Sequence, residues 1–241
     1  RYNTIEDNNG YAISCDENAD VVGNDITNNA GTAISGGLLI TNNLIDDNGN
    51  NSNAAIISCN AFATIDSNII IDNTGYAIYN GRYIRSNDIA NNYTNNHNFI
   101  DASQMLEFKD NVISGNSADN GKFIYGTELT DFSGNTLSQN TNSNETFIDL
   151  SRDLIIGGPS VDELYYPFSF TGNTISGCTS SNGKFIYADH NDKDMVAFNE
   201  NTISGCNNTH SGNHDFITLS AYEALNNQIE NCQTSGNLYA S

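Results

Sequence analysis

Asn24-Asp25-Ile26-Thr27-Asn28-Asn29 is one copy of the frame Asn-x-Ile-x-x-Asn, and that frame decides the fold because it returns along the whole chain. Upstream it runs from Asn3 through Ile5 to Asn8. Downstream it recurs from Asn43 to Asn48, Asn68 to Asn73, Asn87 to Asn92, Asn111 to Asn116 and Asn135 to Asn140, with Ile or Leu at the third place. Three further copies open on Asn173, Asn201 and Asn227 and close on Cys178, Cys206 and Cys232. Ten copies at one internal spacing are a structural repeat.

A second apolar pair follows each frame after a short polar gap: Ala12-Ile13, Ala33-Ile34, Ile56-Ile57, Ala77-Ile78, then Phe99-Ile100, Phe123-Ile124, Phe147-Ile148, Phe185-Ile186, Phe216-Ile217 and Leu238-Tyr239. A third apolar cluster closes most units, for example Leu38 to Ile40, Phe62 to Ile65 and Leu129 to Phe132. Each unit of about two dozen residues is too short to bury its own apolar side chains and must stack on its neighbours. The patches are short and are separated by Asn, Gly, Ser and Asp, which is turn chemistry and not the 3.6-residue period of a helix. The chain therefore reads as all-β, a right-handed parallel β-helix of about ten coils with three short strands per coil, forming one domain over residues 1–241. A long inserted loop is expected at about 150–167, between Leu150 and Pro167.

In such a stack, equivalent Asn side chains lie one strand spacing apart, about 4.8 Å, and can hydrogen-bond along the axis. Asn3, Asn24, Asn43, Asn68, Asn87, Asn111, Asn135, Asn173, Asn201 and Asn227 are thus expected to form a structural ladder. Asn also tolerates the left-handed backbone that tight corners require.

Composition narrows the function. Eight Lys and Arg against twenty-nine Asp and Glu give a formal charge of −21, which would repel nucleic acid and anionic membranes. No apolar run approaches the roughly 20 residues of a membrane helix, so direct membrane insertion is not expected. Only 15% of residues are charged and the mean hydropathy is −0.44, so the polarity is carried mostly by Asn, Ser, Thr and Gly.

Four coils carry Phe-x-x-Asn: Phe108-Lys109-Asp110-Asn111, Phe132-Ser133-Gly134-Asn135, Phe170-Thr171-Gly172-Asn173 and Phe198-Asn199-Glu200-Asn201. The second motif reads Gly75-Tyr76-Ala77-Ile78-Tyr79 and Gly121-Lys122-Phe123-Ile124-Tyr125. Together they resemble the repeats of chlamydial polymorphic membrane proteins and of adhesin-like surface proteins of methanogenic archaea. The resemblance implies an extracellular or cell-surface β-helix, often adhesive, with glycans or host and cell-surface proteins as partners.

Several side-chain groups are candidates for chemistry. Cys178, Cys206 and Cys232 share one position in consecutive coils, so neighbours could approach disulfide distance, or all three could stack as buried free thiols. His190, Asp192, His210 and His214 form the one concentration of loop ligands, where solvated side chains compete with a metal reading and Ca2+ is the favoured ion. No other cofactor is expected. Phe99, Phe123, Phe147, Phe185 and Phe216 would form an exposed partner-binding ridge if strict alternation holds, or would fill a wider core if it does not. Tyr165 and Tyr166 in the long loop are the first choice for a recognition element, with an inert edge cover as the alternative. Asp101 and Asp149 hold one repeat position two coils apart, as an acid pair or as variation on a solvent face. Sequons at Asn50, Asn92, Asn144 and Asn207 permit glycosylation.

The chain opens on a coil at Tyr2-Asn3-Thr4-Ile5 and closes on one at Leu238-Tyr239, with no amphipathic capping helix. Open coils recruit other chains, so either the chain is a slice of a longer protein or a homo-oligomer or filament stacked end to end is expected. An adhesin stalk or fibre protomer is the leading function, with no residue assigned a catalytic role. A secreted polysaccharide-processing enzyme, a lyase or glycoside hydrolase, is the alternative.

Overall fold

The computed structural model describes residues 1–50, 54–151, 168–188, 196–209, 215–235 and 239–240. Strands of two to four residues pair in parallel with their counterparts one coil away and build a right-handed parallel β-helix. The first sheet has ten strands, from Thr4–Glu6 to Gln228–Glu230. The second has ten, from Ile13–Ser14 to Tyr239–Ala240, and the third has nine, from Asp20–Val22 to Ala221–Glu223.

Strand length follows from the sequence. In Asp25–Thr27 the Ile points inward and its neighbours point out, and the next polar residue already turns the chain. Register is fixed by those central residues: Ile26 pairs with Ile45, Ile45 with Ile70, Ile70 with Ile89 and Ile89 with Ile113. All five are fully buried, and each contributes about 1.5–3 kcal/mol of burial. A one-residue slip would turn the whole column outward.

The corners differ in one respect from expectation. Left-handed backbone belongs not to the ladder asparagines but to the residue before each. Tyr2, Gly23, Asn42, Ser67, Ser86, Asp110, Gly134, Gly172, Glu200 and Asn226 have φ between 54° and 67°. Each ladder Asn is thereby turned inward, where its Nδ2–H donates to Oδ1 of the Asn in the next coil. Asn24 to Asn43, Asn43 to Asn68 and Asn68 to Asn87 measure 2.9, 2.9 and 3.0 Å. The same Oδ1 accepts the backbone N–H of the preceding rung, and the second amide hydrogen reaches main-chain carbonyls, as from Asn43 to Val21 at 3.0 Å. A buried amide in each of these rungs is thus satisfied on every side. A parallel ladder runs from Asn8 through Asn29, Asn48, Asn73, Asn92 and Asn116 to Asn140.

The later coils are wider. Beginning at Tyr93–Asn95, a fourth sheet of six strands inserts between the first and second. In that same coil the core position Ala77 becomes Phe99, and Ile84 of the third sheet becomes Phe108. Phe99, Phe123, Phe147, Phe185 and Phe216 are wholly buried and stack with ring centroids 4.8, 4.7, 4.8 and 4.4 Å apart. The exposed ridge is therefore corrected. Phe99 lies in a bend just before the strand Ile100–Asp101, so alternation does not apply there and both residues point inward. A second column, Phe108, Phe132, Phe170 and Phe198, stacks at 5.0, 4.8 and 5.2 Å. Large rings fill the extra cross-section that the fourth strand creates.

Candidate ligand-binding face

The outer face of the second sheet is where chemistry collects. The residue after each inward Ile forms an outward column in register: Ser14, Ser35, Ser58, Tyr79, Asp101, Tyr125, Asp149, Tyr187 and Thr218. From Tyr79 to Tyr187, Tyr and Asp alternate. Three residues upstream, Tyr76, Asn98, Lys122, Thr146 and Lys184 form a second column beside it. The buried Phe stack runs along the same coils, one residue before each inward Ile.

The two aspartates, about 9.6 Å apart at two strand spacings, are not equivalent. Asp149 is 5% exposed and saturated: Lys122 Nζ lies 2.6 Å from Oδ2, while Ser151 donates its N–H and Oγ–H to Oδ1 at 3.0 and 2.7 Å. Asp101 is half-buried and accepts one hydrogen bond, from Asn98 Nδ2 at 3.0 Å. Burial pushes its carboxyl above the ordinary value, with Asn98, Lys122 and His97 pulling it back. Lys122 also lies 4.2 Å from the Tyr125 ring centroid, and Lys184 lies 3.8 Å from that of Tyr187. At the other end, Tyr76 packs on His97 at 4.9 Å and meets Tyr79 edge-on at 6.0 Å.

The structure answers only some of the sequence candidates. Tyr165, Tyr166, His190, Asp192, His210 and His214 lie outside the described residues. Among the described residues no group of three or more His, Cys, Asp or Glu is placed to hold a metal ion. The disulfide alternative is corrected: Cys178, Cys206 and Cys232 are free thiols, as are Cys15 and Cys59. The sulfurs of Cys178, Cys206 and Cys232 continue the Asn ladder, with Cys206 Sγ–H directed at Ile175 O and Ser204 O at 3.7 and 3.4 Å. Of the sequons, Asn92 is a buried ladder rung and Asn144 is exposed.

Tyr76, Tyr79, Asn98, Lys122 and Tyr125 were not among the sequence candidates. Their signal was the alternation of Phe-Ile-Asp with Lys-Phe-Ile-Tyr in successive coils, visible only once the coils are aligned on the inward Ile. The architecture and this face define the class: a parallel β-helix solenoid with an asparagine-ladder spine and one chemically differentiated sheet face. Comparison with protein-family models, curated proteins and solved structures returns no match.

Proposed function

We propose that the chain is the rod of an extracellular or cell-surface protein, an adhesin-type stalk or a fibre protomer that stacks end to end, of the kind the polymorphic-membrane-protein-like repeats imply. The observation that carries this reading is the axial continuity of hydrogen bonding: each Asn rung from Asn3 to Asn227 is hydrogen-bonded to the next. Such a spine supports a stiff element that transmits its order along one direction. The low charged fraction and acidic balance suit a surface solvated without ion pairs. Negative-stain microscopy of the purified chain tests the fibre: filaments that lengthen with concentration are expected, and uniform single-chain particles at all concentrations contradict it. Antibody labelling of intact native cells tests the location; signal that appears only after lysis contradicts it.

The polysaccharide-processing alternative has one observation in its favour, the raised pKa of Asp101, as a general acid requires. Its would-be partner Asp149 has both oxygens committed to Lys122 and Ser151. Release of reducing ends from a polysaccharide panel, lost in Asp101→Asn, would favour the enzyme over the rod.

A further inference from the structure

One carboxylate on the second-sheet face is not used up by the fold. Asp149 spends both oxygens on Lys122 and Ser151. Asp101 spends Oδ2 on Asn98, and its Oδ1 has no hydrogen-bond partner among the described residues. Asp101 is half-buried, and this oxygen is the acceptor it has left for a ligand hydroxyl. Directly beside it in register is Tyr79, 42% exposed, its ring standing edge-on to Tyr76. On the other side is Tyr125, with the Lys122 ammonium over its ring. An open aromatic surface, an acceptor and a cationic donor thus follow one another at single strand spacings, about 4.8 Å apart.

Charge selects among ligands. The chain carries −21 overall, so a polyanion is repelled before it arrives. The face itself balances Asp101 and Asp149 against Lys122 and Lys184. An uncharged ligand fits, one with apolar C–H surface for an aromatic ring and hydroxyl donors for a carboxylate. Tyr79, Tyr125 and Tyr187 recur every second coil, with the aspartates between them. An extended β-1,4-linked chain turns alternate sugars over and so presents the same face every second residue.

We propose that this face binds a neutral β-linked glycan lying along the helix axis, with one pyranose on Tyr79 and its hydroxyls donating to Asp101 Oδ1. Lys122 donates to the next sugar. The inference goes beyond the rod reading and stands whether or not the chain forms fibres.

Titration calorimetry of the full chain tests it with hexamers of β-1,4-glucan, β-1,4-mannan and β-1,4-N-acetylglucosamine, and with oligogalacturonate as the acidic control. At least one neutral hexamer is expected to bind, and more tightly than oligogalacturonate. Tyr79→Ala and Asp101→Asn should each weaken that binding about tenfold or more. Tyr222→Ala, at an exposed tyrosine of the third sheet, should leave it unchanged. Circular dichroism confirms that each variant is folded, and Asp101→Asn is near-isosteric. Failure of every neutral hexamer to bind, tighter binding of oligogalacturonate, or undiminished binding by folded Asp101→Asn overturns the proposal.

Discussion

Asn140 donates its side-chain amide to the sulfur of Cys178 at 3.8 Å, and at that contact the second ladder changes from amide to thiol. The thiols inherit the carbonyls that the amides use: Asn116 reaches Ile89 O and Ser114 O, and three coils later Cys206 reaches Ile175 O and Ser204 O. The neighbouring Cys206 thiol lowers the pKa of Cys178, and the neighbouring Cys178, followed by burial, raises that of Cys206.

Thiol reactivity follows from that burial. Cys59 is pushed up to about 12 by desolvation, and Cys178 and Cys206 are closed off from solvent. Titration of the native protein with an aromatic disulfide reagent at mildly alkaline pH should leave these three silent, and all five should react once the chain is unfolded. Rapid native reaction at Cys59 would count against the packing.

Phe147 is wholly buried and sandwiched between Phe123 and Phe185, at 4.7 and 4.8 Å with interplanar angles of 6° and 9°. Phe147→Ala should cost about 3–5 kcal/mol in denaturant unfolding. The loss should extend amide exchange into the neighbouring coils, because each coil is buried by the next. A cost near that of a surface substitution would place the ring outside.

Asp46 ends the strand Leu44–Asp46 within the first sheet, among other acidic side chains. Its carboxyl is raised by desolvation and then by Asp72, Asp47 and Asp25. A folded-state value above the unfolded one favours folding below the ordinary carboxylate pKa, and that contribution is lost as pH rises through the folded value. Asp46→Asn should therefore raise the melting temperature at neutral pH, and the gain should vanish in acid and shrink with added salt. Thermal melts of both proteins across pH check this; a gain that persists in acid contradicts it.

The sequence made the fold legible because every rung repeats the same physical problem. Inward Ile fixed the register, and Asn marked the corner. What it hid has two causes. The fourth sheet is built from Tyr93–Asn95, Ser117–Asp119 and their successors, whose inward residues Thr94, Ala118 and Asn142 include two polar ones and so lack the apolar signature of a strand. The Phe column was ambiguous because period-two alternation fails at a bend, and only the backbone at Phe99 shows the bend. At the face, Asp101 and Asp149 were visible as one repeat position, but nothing in the sequence distinguishes the saturated carboxylate from the open one.

The Asn ladder holds the coils together, and Asn111 is a fully buried rung at its middle. Its Oδ1 accepts from Asn87 N and Nδ2 at 3.0 and 3.1 Å, and its Nδ2 donates to Asn135 Oδ1 and Ile84 O at 3.1 and 3.0 Å. Asn111→Ala strands several buried polar groups at once, whereas Asn3→Ala touches an exposed rung. Equilibrium urea unfolding should show Asn111→Ala destabilised by about 2–4 kcal/mol and Asn3→Ala little changed. Equal and small effects at both positions would contradict the ladder as the spine of this fold.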